Sequence, residues 1–282
     1  MFDKLIWKND RVLLGELVFR LELSKRDDWE LGRECFAFYK TKPLVGQYAK
    51  FFALRNDFAP RQVVELGLFD GGSSVFWFEL FSPQKHVGFD LTRREDSEYF
   101  QRYIARNGLQ DRLKTYWGID QSDTRALLRI VGDEFAEPLD LVIDDASHFY
   151  QPTKTSFETL FPLLRPGGLY FIEDWAWGHW PRFTPPNDAW NHAAQLTNLV
   201  AELIEATGTT AELISSVTVL KGFTVVERGT MKAAELQGVR LQDHIFRRGQ
   251  PPVWQRLRAW RQRVSRWLGR LGAGARGRVP AR

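Results

Sequence analysis

The chain holds one cysteine, Cys35. An internal disulfide and a cysteine-rich zinc site are therefore excluded, and a reducing, cytoplasmic setting fits. No run of about 18 uninterrupted apolar residues exists, so no membrane-spanning helix is expected. The opening MFDKLIWKNDRVLL lacks the apolar run of a secretory signal. Solenoid repeats are absent as well. What is present is 44% hydrophobic and 26% charged over 282 residues. That composition excludes a wholly disordered chain and supplies a real core. At about 150 residues per domain, the length suits one large or two small domains.

Acidic residues are missing from one end. Residues 247–282 contain eleven arginines and no lysine, aspartate or glutamate. The remaining residues carry 28 basic and 35 acidic side chains, a net of −7. The whole-chain charge of +4 thus divides into an acidic body and a basic tail. In the tail, Trp254, Leu257, Trp260, Val264, Trp267, Leu268 and Leu271 recur at helical spacing, with arginines opposite. Residues 253–271 read as a basic amphipathic helix suited to peripheral contact at the inner membrane surface. Packing on the acidic body is the main rival reading. Phosphate contact with a nucleic acid is the least favoured.

Short apolar strands alternate with amphipathic helices. Gln62–Leu66, His86–Asp90, Leu113–Trp117, Leu139–Asp144 and Leu169–Glu173 read as buried strands. The residues at or beside their ends, Glu65, Asp90, Trp117, Asp145 and Glu173, are spaced by 25, 27, 28 and 28. Each gap holds a strand and a crossover helix, the signature of successive βαβ units. Helical faces follow at Tyr99–Ile104, after Ser122 and Asp123, and at Leu196–Ile204. Thr155 with Glu158 is placed for a capping box ahead of Phe157–Leu164. Ser216–Gly229 reads as a closing hairpin around Lys221-Gly222. The fold predicted is α/β, a doubly wound sheet. Residues 1–44 are expected to form a mixed helical extension.

The first strand runs into Glu65-Leu-Gly67-Leu-Phe-Asp-Gly71-Gly72-Ser73. Ligands of open α/β sheets bind at the carboxyl ends of the strands, where glycines let the backbone approach closely. Gly-x-x-x-Gly-Gly differs from the dinucleotide pattern, and Glu65 would repel a pyrophosphate. Asp90 ends the second strand, placed to accept both hydroxyls of a ribose. A nucleoside carrying positive charge suits this set, and S-adenosylmethionine (SAM) is that ligand. NAD is the competitor.

A second constellation lies at the fourth and fifth strand ends. Ile143-Asp144-Asp145-Ala-Ser-His148 and Ile172-Glu173-Asp174-Trp175 would meet if the strands are neighbours. Asp145, Glu173 and Asp174 would then repel one another without a cation. All-oxygen ligands favour Mg²⁺, with Mn²⁺ or Ca²⁺ as alternatives. His148, an imidazole of intrinsic pKa about 6.5, is the candidate base. Asp144 is expected on the opposite face and is left out of the metal set.

These residues carry a resemblance. Glu65–Ser73, Asp90 and the hairpin resemble class I SAM-dependent methyltransferases over roughly residues 45–230. DDASH followed by LRPGGLYFIEDW is similar to the metal-dependent O-methyltransferases of natural-product biosynthesis, of the macrocin and mycinamicin, rhamnosyl and cephalosporin-hydroxylase-like groups. The resemblance implies a seven-stranded Rossmann-like sheet of order 3-2-1-4-5-7-6 with its last strand antiparallel. It implies residues 45–246 as the methyltransferase domain, between extension 1–44 and tail 247–282. It places Glu65 and Gly67 near the methionine part of SAM, Asp90 on the ribose, and Asp120 and Gln121, after Trp117, beside the adenine. It gives Asp145, Glu173 and Asp174 to Mg²⁺ and the base role to His148. Two departures stand out: Ala146 replaces the usual glycine, and the large N-terminal assembly domain of some relatives is missing, which leaves homo-oligomer formation open.

The activity implied is methyl transfer to a hydroxyl of a sugar or other vicinal diol, on a small-molecule or glycoconjugate acceptor. Trp175, Trp177, Trp180 and Trp190 surround a proline-rich loop that could stack on such an acceptor as a lid. His179 and His192 lie in the same region. An RNA methyltransferase steered by the basic tail, and a membrane-tethered SAM-binding protein without turnover, are the alternative functions.

Overall fold

The computed structural model describes residues 1–21, 35–180, 193–210 and 212–245. Trp190, His192, the loop prolines 181–186 and the predicted helix 253–271 lie outside the described residues.

Residues expected to be helical at the N-terminus form a small sheet instead. Strands β1 (Leu5–Trp7), β2 (Arg11–Leu14) and β3 (Leu17–Arg20) make an antiparallel meander. A two-residue turn with Gly15 at φ +60° joins β2 to β3. Strand β4 (Phe36–Ala37) pairs with β3 in parallel. The runs are only two to four residues long, too short for alternation to declare itself. Tertiary packing decides them. Val12, Phe19, Phe36 and Phe38 are buried in the same core as Phe76 and Trp77.

Helix α1 (Lys42–Ala53) follows at once. Thr41 caps it by accepting from the Leu44 amide, and Pro43 sits in its first turn. Beyond it come β5 (Gln62–Leu66), α2 (Gly72–Phe81), β6 (Lys85–Asp90), α3 (Glu98–Asn107), β7 (Leu113–Trp117), α4 (Thr124–Glu134), β8 (Leu139–Asp144), α5 (Tyr150–Leu160), β9 (Leu164–Glu173), α6 (Leu196–Thr209), β10 (Ile214–Val219) and β11 (Phe223–Arg228). The large sheet has the order β10-β11-β9-β8-β5-β6-β7. Counted from β5, that is 3-2-1-4-5-7-6. Strands β5 to β9 pair in parallel, and β11 lies antiparallel to β9.

Strand alternation builds two cores. In β5, Val63 faces the layer of α1, α2, α3 and the small sheet, while Val64 and Leu66 face α4, α5 and α6. The first layer is aromatic: Tyr48, Phe51, Phe52, Trp77, Phe171 and Phe223 pack ring to ring. Among the described residues no helix is long and apolar enough to cross a membrane.

One helix start differs from the sequence reading. α5 begins at Tyr150, five residues before the expected turn at Thr155. Thr155 donates to the Gln151 carbonyl from inside the helix, and Glu158 accepts from the Leu241 amide rather than closing a capping box. The chain turns early because His148 adopts φ +57° and Ser147 accepts from the Phe149 amide.

Glu134, at the end of α4, pins that helix to the sheet through Lys85, Lys114 and Tyr116. Burial opposes its charge, but these partners outweigh it and hold the carboxyl down at about 2. A depressed pKa stabilises the fold above the unfolded value and loses that contribution as pH falls toward 2. Glu134→Gln is expected to cost about 1–2 kcal/mol at pH 7. Thermal melts should show the gap to wild type closing between about pH 5 and pH 2.

Candidate active site

The chain runs β5-β6-β7 to one side and then crosses to β8-β9 on the other, so a switch point lies between β5 and β8. A crevice forms at such a point because neighbouring connections leave in opposite directions. Here it is a cavity of about 500 Å³ at the carboxyl edge of the sheet. Gly67 has φ +89°, and a Cβ there would collide with the Asp145 carbonyl. Only glycine lets the β5 and β8 loops approach this closely.

Gly67, Ser73, Asp90, Asp120, Gln121 and Asp145 line the cavity. The Asp90 carboxylate shapes one wall. Oδ2 accepts from the Leu68 and Phe69 amides, each at 2.9 Å, and Oδ1 accepts from the Thr92 amide at 2.7 Å. A carboxylate offers about four acceptor positions. Three are taken by backbone amides. Asp120 accepts from the Ser122 hydroxyl and amide, which hold its carboxyl below the usual range.

Gln121 links the cavity to a buried network. Its Oε1 accepts from the Ser147 amide, and its Nε2 donates to Asp144 and Ser156. Asp144 turns to the opposite face from Asp145, where Ser156 and Tyr170 also donate to it. Burial pushes its carboxyl up to about 6, against the pull of those hydrogen bonds.

Three predicted cofactor residues do not line the cavity. Glu65 is fully buried, and its carboxylate meets Ser74 and His86. As the neighbour of Val64 and Leu66 it points to the α2 side of the sheet, so strand parity takes it away from the ligand. Gly71 faces the Phe100 ring, and Gly72 packs so tightly on the Ala37 carbonyl that a Cβ would collide there. Both serve the junction between α2, α3 and the small sheet. Trp117 also stays out: it donates to Asp96 and carries the Arg94 guanidinium over its ring.

Beside the cavity, Asp145, His148 and Asp174 bring ligand atoms within 4.8 Å of one another. The β8 and β9 ends deliver them in register, Asp144 opposite Ile172. His148 Nε2 lies 3.8 Å from Asp145 Oδ1. Its ring sits 4.7 Å from that of Trp177, whose amide donates to the Asp174 carbonyl. Asp174 has φ +52°, an unfavourable backbone for a non-glycine residue, as has His148. Burial and the Asp145 charge push the Asp174 carboxyl up. The two carboxylates supply the oxygen ligands a hard divalent cation prefers, with the imidazole beside them.

Glu173 is not part of that cluster. Its Oε1 accepts from Lys40 Nζ at 2.6 Å and from the Tyr48 hydroxyl at 2.6 Å, and the side chain is 1% exposed. Lys40 also donates to Asp145 Oδ2 at 2.9 Å. Burial opposes the ammonium, but Asp145 and Glu173 outweigh it and raise its pKa. The carboxylates expected to lack a cationic partner have one. Sequence reading missed Lys40 and Tyr48 because their partner Glu173 lies 133 and 125 residues away, and it missed the cavity-lining Tyr39 as well. The only local signal was the Thr41–Pro43 helix start, which fixes Lys40 at the foot of α1.

Of the aromatic loop, Trp175 donates to the Leu220 carbonyl, Trp177 packs tilted against His148, and Trp180 neighbours Trp177. His179 meets the Thr197 hydroxyl.

Residues 64–175 match a family described as a methyltransferase domain. Demethylmacrocin O-methyltransferase of Streptomyces fradiae is 32% identical over 152 residues, covering 51% of this chain and 35% of that protein. The 8-demethyl-8-alpha-L-rhamnosyl tetracenomycin-C 2'-O-methyltransferase of Streptomyces olivaceus is 52% identical over 143 residues, 48% of this chain and 34% of that protein. The match thus spans about a third of these curated relatives. Among solved structures, the mycinamycin-pathway methyltransferase MycE, in complex with Mg, SAH and mycinamycin VI, superposes with a TM-score of 0.50 at 29% identity. That alignment covers 74% of this chain and 51% of MycE. This chain therefore carries a methyltransferase domain, and its homologues include the macrocin, mycinamicin and rhamnosyl-tetracenomycin O-methyltransferases.

Proposed function

We propose that this chain transfers a methyl group from SAM to a hydroxyl of a sugar or other vicinal-diol-bearing natural product, with a divalent cation, Mg²⁺ by preference. The observation that carries this reading is the juxtaposition of two sets at one sheet edge. Gly67, Asp90, Asp120 and Gln121 line the cavity, and Asp145, His148 and Asp174 converge beside it.

Asp90 and Asp120 put acceptor oxygens on the wall assigned to the nucleoside. Asp145 and Asp174 would hold the cation, with Glu173 brought in from its place on Lys40 and Tyr48. When bound, SAM supplies an electrophilic methyl, and the cation lowers the pKa of an acceptor hydroxyl. His148 accepts the hydroxyl proton. Asp145 Oδ1, 3.8 Å from Nε2, faces the positive charge that the imidazole then gains. Trp177, its ring 4.7 Å from the imidazole, gives an acceptor ring an apolar surface. Much of the acceleration comes from holding oxygen and methyl close and aligned.

The first test is calorimetry with SAM. Wild type should bind. Asp90→Ala should bind about 10–100-fold more weakly, because a charged acceptor is lost and the Leu68–Phe69 amides are released. No SAM binding by the wild-type chain would sink the proposal.

A further inference from the structure

Lys40 supplies the one cation in direct contact with Asp145 and Glu173 among the described residues, and its place is specific. Its Nζ sits between Asp145 Oδ2 and Glu173 Oε1, at 2.9 and 2.6 Å, with the side chain 3% exposed. Without it, the buried Glu173 and the half-buried Asp145 carboxylates would face each other across the β8–β9 edge, and Tyr48 alone would serve Glu173. The ammonium does more than neutralise. It divides the two oxygens of Asp145, so that Oδ2 is occupied while Oδ1 is turned toward His148.

The proposed function gives the same two carboxylates to a divalent cation, and the present inference rests on that reading. An ammonium on Oδ2 and Oε1 opposes a divalent ion drawn to the same two carboxylates, because two cations repel at short range. A lysine suits such a temporary post. It is a compact charge on a flexible four-carbon stem, unlike the planar arginine fork. Lys40 also lines the 500 Å³ cavity, so open space borders the stem along which the ammonium can withdraw.

We infer that Lys40 is a built-in counter-ion, which holds Asp145 and Glu173 together in the metal-free protein and competes with the divalent cation for them. It thereby sets the cation affinity of the site and keeps the carboxylates in place before loading.

The test uses the full chain with Mn²⁺ as the probe, read by calorimetry and by the Mn²⁺ spin-resonance signal, without acceptor or SAM. Lys40→Gln is expected to bind Mn²⁺ at least about tenfold more tightly than wild type. Lys40→Arg, which keeps the charge, should bind no more tightly than wild type. The metal-free Lys40→Gln protein should melt lower than wild type and gain more on Mn²⁺ addition. Equal or weaker Mn²⁺ binding by Lys40→Gln overturns the inference and leaves the metal reading standing. Wild type and both variants all failing to bind Mn²⁺ overturns both. A second measurement needs no variant: amine labelling of wild type, read by mass spectrometry at Lys40. Labelling should be slow without Mn²⁺ and faster at saturation. An unchanged rate at saturation overturns the inference even if Lys40→Gln fails to fold.

Discussion

His148→Ala is expected to lower kcat for methyl transfer by roughly 10²–10⁴-fold, with SAM affinity within about twofold of wild type. The separation follows from position. His148 faces Asp145, Asp174 and Trp177, whereas the cavity wall is built by Gly67, Asp90, Asp120 and Gln121. Removing the imidazole takes away the proton acceptor and leaves the nucleoside contacts alone. A purely structural His148 would instead give a less stable protein with normal turnover per folded molecule. Stopped assays with matched SAM titrations distinguish these outcomes.

Asp145→Asn carries the other large effect. Asp145 is the hub of the site: Oδ2 binds Lys40, Oδ1 faces His148, and the carboxylate belongs to the Asp145-His148-Asp174 cluster. The amide keeps the shape and removes the charge. Divalent-cation affinity should fall by about two orders of magnitude, and kcat by at least roughly 10²-fold, since cation stabilisation of a developing alkoxide contributes several kcal/mol. Lys40 would keep Glu173, to which Tyr48 also donates, so the fold should survive with a modest loss of melting temperature. Saturating Mg²⁺ that restored wild-type kcat would show that Asp145 only tunes affinity. Asp144→Asn provides the contrast. Asp144 lies in the Ser156–Tyr170–Gln121 network on the other face, so Mg²⁺ affinity should be much less affected.

The strand ends were legible because physics writes them locally. Buried parallel strands are short apolar runs, and the residues that follow them emerge at one edge. Asp90, Asp145 and Asp174 are found that way, and the strand order follows from the resemblance. Glu65 shows the limit of reading position without parity: one residue from Leu66, it points into the α2 layer. The N-terminal sheet was hidden for another reason. Its strands of two to four residues are stabilised by Phe76 and Trp77 from α2, so no local pattern marks them. Lys40 was hidden most completely. Its partners are 105 and 133 residues away, and the contact exists only once the β8 and β9 ends are assembled. From sequence the carboxylates stand unpaired, whereas in the structure Asp145 and Glu173 share an internal ion pair with Lys40.

Cation-dependent methyl transfer to a sugar hydroxyl is tested most directly by incubating the full chain with methyl-labelled SAM and a panel of glycosides bearing vicinal hydroxyls, with Mg²⁺ or after exhaustive chelation. The expected result is a methyl ether on at least one glycoside, lost on chelation and recovered when Mg²⁺ is returned. Transfer that persists undiminished after chelation would contradict it.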